Sequence, residues 1–192
     1  METLMRTSHL LLAFSLLLVS YRPLHAQTNK SAPVHSVSQA LDFWITNTEL
    51  RVVSAADAMP EEKYSFAPTA GEFTGVRNFG QQIKHLAANN YRMAAYILNH
   101  TPTPEEEAES GPDSVQSKAQ IMDYLKGSFA VLHQAMAAID EGNMLKPMPA
   151  SPSPLQKTRL QLAVDAVAHS NDHYGQMVEY LRMNRIIPAA SR

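Results

Sequence analysis

The sequence predicts an all-α fold of four amphipathic helices, and three observations carry that reading. Glycine is scarce, with 7 in 192 residues, while alanine, leucine, methionine and glutamine, all good helix formers, are common. Apolar residues recur at three- and four-residue spacing in four separate runs, which is the period of one helical face. Between those runs lie polar or proline-rich breaks that deny helix continuation. A hydrophobic content of 45% over this length suffices for one well-buried domain and hardly for two.

The chain opens on a stretch with the marks of a targeting segment. Arg6 follows the start, Leu10 to Val19 form an apolar run, and Leu24-His25-Ala26 offers a small residue just before Gln27. Residues 1–26 therefore read as a cleavable signal peptide, since the apolar run is about half of the roughly 20 residues that span a bilayer. Residues 27–35 read as a linker and residues 36–192 as the folded domain. The expectation is an exported protein, periplasmic or secreted, with no permanent membrane anchor. The sequence contains no cysteine, which excludes structural disulfides, thiolate metal ligands, a cysteine nucleophile and lipid attachment through a lipoprotein cysteine.

The first helix runs from Ser36 to Met59, with Val37, Leu41, Trp44, Ile45, Thr48, Val52 and Ala55 at helical spacing. Pro60 and the stretch EEKYSFAPTAGE then break the pattern, and Tyr64, Phe66 and Pro68 read as a loop that packs aromatic weight onto the bundle. The second helix runs from about Thr74 to Leu98, with Val76, Phe79, Ile83, Leu86, Asn90, Met93 and Ile97 along one side. His85 falls about 120° from the centre of that stripe, grouped with Gln82, Asn89 and Tyr96, so periodicity makes it a border residue. The segment TPTPEEEAESGPD reads as a solvated loop, because its like charges repel and Pro102 and Pro104 stop a helix.

The third helix begins near Ser117, where Ser-Lys-Ala-Gln matches a capping box. Ile121, Leu125, Phe129, Leu132, Met136 and Ile139 form its buried stripe, and Gly142 and Asn143 end it. His133 falls off the stripe and reads as an exposed histidine. The segment KPMPASPSP is too rich in proline to be helical, and it is long enough to let the last helix start from a different end of the bundle. The fourth helix then starts near Leu155.

Three faces are distinguishable on the fourth helix. Leu160, Val164, Val167, Tyr174, Val178 and Leu181 make a core face, while Asp165, Asp172 and Glu179 mark a solvated one. His169 and His173 occupy the stripe between, with Leu162, Ala166, Gln176, Met177 and Tyr180. Two imidazoles four residues apart share a helical face, about 5 to 6 Å apart at Cβ, close enough to bind one divalent ion. The same spacing also suits two histidines that merely cap or pack, and a third ligand has to come from elsewhere. With 16 basic and 18 acidic residues, the net charge of -2 offers no general attraction to nucleic acid or anionic lipid.

These residues resemble a known family. The block PEEKYSFAPTAGEFTGVRNFGQQIKHLAANNY resembles the first loop and second helix of the DinB family of DinB/YfiT-like proteins, and HSNDHYGQMVEYLRMNRIIP resembles its last helix. The likeness covers roughly Val37 to Pro188, and its sharpest parts are the isolated His85 and the H-x-x-x-H-Y-G-Q segment at His169 and His173. It implies a four-helix bundle with a long crossover connection before the last helix, and a divalent ion, zinc or nickel, on His85, His169 and His173. Here the third ligand, His85, comes from the resemblance alone. The signal peptide departs from the cytoplasmic setting common in the family.

Three neutral imidazoles leave a divalent ion its full charge and an open position, so such an ion acts as a Lewis acid toward water or an exogenous thiol. Asn89, Asp172 and Gln176 are candidates to support the ligands. No catalytic residue is singled out, because no Ser-His-Asp arrangement and no glycine-rich phosphate loop is recognisable. Two classes of function stay open: a metal-dependent enzyme, either a hydrolase or a thiol-dependent transferase, and a non-catalytic periplasmic metal-binding or partner-binding bundle. The partner expected is a small-molecule substrate of unidentified class, with a homodimer as the assembly to test.

Overall fold

The computed structural model of the protein describes residues 36–68, 75–148 and 158–188. Their elements in order are α1 (Val37–Ala58), a 3-10 turn (Glu61–Lys63), α2 (Phe79–Ile97), a short α3 (Pro104–Glu107), α4 (Lys118–Ala137) and α5 (Arg159–Met183). The fold is all-α, as expected. No strand occurs among the described residues, only an isolated antiparallel bridge between Pro147 and Thr158. The signal peptide and linker of residues 1–35 lie outside the described residues, as do Thr74 and Leu155.

α1 and α2 each pack against both α4 and α5, so the cyclic order around the bundle is α1, α4, α2, α5. The connections from α1 to α2 and from α4 to α5 therefore join diagonal helices, and the second is the long crossover. Ile45, Phe79, Ile83, Leu86, Leu125, Phe129, Leu132 and Leu162 are fully buried where the four helices meet. Each stabilises the fold by about 1.5 to 3 kcal/mol through area removed from water. Tyr64 is buried and its ring meets Phe79 edge-on at 5.4 Å, so the loop after α1 does lay aromatic weight on the core.

Capping sets where the helices begin. Ser117 and Gln120 form the expected capping box at α4. α2 starts at Phe79 instead of near Thr74, because the Asn78 side chain accepts from Gln81 N at 2.8 Å and Gln81 Oε1 accepts from Asn78 N at 2.9 Å. Val76 is left exposed. α5 likewise starts after Thr158, capped with Gln161. α4 ends at Ala137, short of Gly142 and Asn143. Asn143 instead closes the turn beyond the helix, donating to Ala138 O at 2.9 Å and accepting from Asp140 N at 3.1 Å.

The acidic segment after α2 is mostly exposed, as expected, but it contains α3. Pro104 occupies the first helical position, where its missing N–H loses nothing, and Thr103 and Glu106 cap the turn. That turn and the residues behind it cover a flank of α2, and α2 is accordingly buried on nearly every side.

Burial corrects three expectations. Trp44 is 55% exposed although it was grouped with the apolar face of α1. On α5, Val164 is 55% exposed, while Leu162, Ala163, Ala166, Ser170, His173 and Met177 are buried. Val178 and Leu181 of the expected face are buried and Leu160, Val167 and Tyr174 partly so, but the buried arc also takes in the stripe that holds His173. α5 packs against both α1 and α2, so the flank with Leu162, Ala163 and Ala166 is buried as well and Val164 is left exposed. His133 is not a free surface histidine either: its Nδ1 lies 2.5 Å from Asp42 Oδ1 and its Nε2 3.0 Å from Glu49 Oε2, both on α1. Among the described residues, no helix is long and apolar enough to cross a membrane.

Candidate metal centre

α2 and α5 pack side by side and bring the histidines together. His169 and His173 stand one turn apart on α5, and His85 reaches them from α2. Ring centroids are 4.4 Å apart for His169 and His173, 4.9 Å for His85 and His173, and 5.4 Å for His85 and His169. One nitrogen from each ring lies within 4.8 Å of the other two, close enough for the three to hold a metal ion. Ligands at about 2.0 to 2.1 Å from one tetrahedral ion stand about 3.3 Å apart. The Nε2 atoms of His169 and His173 are already 3.1 Å apart.

Periodicity placed His85 at a border, yet it is 7% exposed. The cause is the non-helical chain after α3. Gly111 holds φ at +68°, and a Cβ there would meet Lys84 O at 3.3 Å, so the turn needs glycine both for its backbone and for its closeness to α2. Gly111 N donates to Ala108 O at 2.8 Å, and the turn presents the Glu109 carbonyl to His85 Nδ1 at 2.8 Å.

Hydrogen bonds assign two of the tautomers. His85 Nδ1–H donates to the Glu109 carbonyl, and His173 Nδ1–H donates to Gln82 Oε1 at 2.8 Å, so both rings turn an Nε2 lone pair toward the cluster. His169 leaves its Nδ1 unsatisfied in either tautomer. A proton on its Nε2 donates to His173 Nε2 at 3.1 Å and leaves the Nδ1 lone pair buried without a donor, whereas a proton on its Nδ1 is buried without an acceptor. With the proton on Nδ1, three Nε2 lone pairs converge and nothing but the Asn89 amide offsets their repulsion. A cation among them resolves that conflict, so the donor set fits a divalent ion.

Electrostatics keep these rings neutral. Burial, followed by the charges of neighbouring histidines, pushes His169 and His173 down to about 4. Burial also lowers His85, against the raising effect of its bond to the Glu109 backbone, and Arg77 and Arg92 lower it further. Neutral imidazole is the form that ligates a metal.

The flanking polar groups are ordered in turn. Gln82 Nε2 donates to Gln176 Oε1 at 2.7 Å and Gln176 Nε2 donates to Asp172 Oδ2 at 2.8 Å, a chain from His173 to a surface carboxylate. Asn89 Nδ2 lies 3.1 Å from His85 Nε2, and Asn89 Oδ1 accepts from Arg92 Nη2. All three supporting candidates, Asn89, Gln176 and Asp172, therefore sit around the cluster. Sequence reasoning missed Gln82, Arg92 and the Glu109 carbonyl. The signal for the first two was a polar stripe at positions 82, 85, 89 and 92, spaced by three and four residues on an otherwise apolar helix. Nothing local marks a backbone carbonyl.

Residues 45–177 match the family model of the DinB superfamily, well over half of the chain. No curated protein matches the chain.

Proposed function

The chain belongs to the DinB superfamily, and from that premise we propose an exported metalloprotein that binds one divalent ion, zinc or nickel, through His85, His169 and His173. The observation that carries this reading is the convergence of three neutral rings on one point, with His169 Nδ1 buried without a hydrogen-bond partner. Bound there, the ion supplies Lewis-acid chemistry toward water or a thiol, which makes the protein a metal-dependent hydrolase or thiol-dependent transferase.

The chain's own residues do the rest. Gln82 and the Glu109 carbonyl hold His173 and His85 in the tautomers that face the ion. His169 is the least buried of the three residues, so a small molecule approaches on its side. Any thiol has to come with the substrate, since the chain has none. Export rests on the Arg6 to Ala26 pattern alone. Elemental analysis of the purified mature chain tests the reading: one zinc or nickel ion per chain supports it, and no metal above that of a His169→Ala variant contradicts it.

A second reading, a partner-binding bundle, draws on a different place. Leu41, Trp44, Val164, Val167 and Ala168 line an apolar groove of about 380 Å³ between α1 and α5, and the exposed Phe43 ring meets Trp44 edge-on at 5.7 Å. Exposed aromatic surface of this kind suits a protein partner.

A further inference from the structure

Two arginines stand beside the three histidines, and they differ in one respect. Arg77 is neutralised by Glu109, with Nη2 at 2.6 Å from Oε1. Arg92 has no carboxylate within ion-pair distance among the described residues. It is half-buried, and its Nη2 donates to Asn89 Oδ1. That bond fixes which way the Asn89 amide points, since an amide nitrogen cannot face a guanidinium donor. Asn89 Nδ2 is thereby aimed at His85 Nε2, 3.1 Å away, and at His169 Nε2, 3.4 Å away.

An uncompensated guanidinium two hydrogen bonds from a cation site works against the cation. Once an ion takes the histidine lone pairs, the Asn89 N–H that faces the rings loses its acceptor, while the amide keeps the His85 carbonyl at 3.4 Å. The site then holds an ion, a free amide donor and an unpaired guanidinium side by side, and all three attract the same thing. Arg92 and Asn89 lie one turn apart on α2, on the same polar stripe as His85, so they face one ligand together.

We propose that Asn89 and Arg92 form an oxyanion subsite beside the three-histidine centre, and that the substrate is a small molecule carrying a carboxylate or phosphate group. The inference rests on the metal reading above and names the substrate class for that site. Planar guanidinium matches a two-oxygen anion, and the Asn89 amide adds a neutral donor.

The test titrates the mature chain first with zinc alone and then, zinc-loaded, with acetate and with inorganic phosphate, by calorimetry. Wild type, Arg92→Met, Arg92→Lys and Asn89→Ala are compared, with circular dichroism confirming helical content. The expected result is that Arg92→Met binds zinc at least as tightly as wild type, because a repelling charge is gone, yet binds the anion about tenfold or more weakly. Arg92→Lys should fall between, and the preferred anion identifies the group. Zinc uptake with equal anion affinity in wild type and Arg92→Met overturns this inference and leaves the metal reading standing. Absence of zinc uptake by wild type overturns both.

Discussion

His169 Nε2 stands 3.1 Å from His173 Nε2, while Nδ1 of the same His169 ring is buried without a hydrogen-bond partner. Its two companions are each pinned by a second bond, His85 to the Glu109 carbonyl and His173 to Gln82. His169 is thus the ring free to turn, and metal uptake should reorient it most. Comparing imidazole NMR signals with and without zinc checks this: the largest change belongs to His169, and an unmoved His169 beside shifted His85 and His173 contradicts it.

Gln82 is buried and joins His173 to the Gln176–Asp172 pair. Gln82→Ala removes the acceptor that fixes the His173 tautomer. Metal affinity should drop about ten- to a hundredfold with no change in helical content. Isothermal titration checks the number, and an affinity equal to wild type would mean that Gln82 merely fills space.

Scaffold and site should separate cleanly. Phe129 is fully buried on α4, a helix that carries none of the three histidines. Phe129→Ala should cost about 3 to 5 kcal/mol by leaving a cavity, and metal binding below the unfolding transition should be unchanged. Urea unfolding measures the first and a zinc titration the second.

His133 lies between Asp42 and Glu49. Burial by itself lowers its pKa, but the bonds to the two carboxylates outweigh that and leave it above 6.5. The folded state therefore binds this proton more tightly than the unfolded chain does. The stabilisation is complete below pH 6.5 and is lost as pH rises through the folded value. His133→Ala should be less stable than wild type at pH 6 by up to about 1 kcal/mol, given the partial exposure of the cluster, and closer to it at pH 9. His169 and His173, held at about 4, destabilise the fold as pH falls from 6.5, but they do so equally in both proteins and cancel. A gap that widens at alkaline pH would contradict the assignment.

How far the sequence speaks depends on the reach of each interaction. Helix existence is a local property, so the apolar stripes of α1, α2 and α4 and the Ser117 capping box were legible. Face assignment is not local. Val164 reads as core and is exposed, because which flank of α5 is covered depends on its two neighbouring helices, α1 and α2. His169 and His173 announce themselves by spacing, but His85 needed a family resemblance, since its burial comes from α3 and the turn at Gly111. His133 was misread for the same reason: its partners are on another helix. The 1–35 segment is readable only as a pattern of charge and hydropathy.

X-ray absorption at the metal edge of the zinc- or nickel-loaded protein tests the central claim most directly. The account predicts a shell of light ligands at about 2.0 to 2.1 Å with outer scattering from three imidazoles. In His85→Ala, the ligand more than eighty residues from the α5 pair in sequence, that scattering should fall to two rings. An unchanged imidazole contribution in this variant would contradict a site built from His85, His169 and His173.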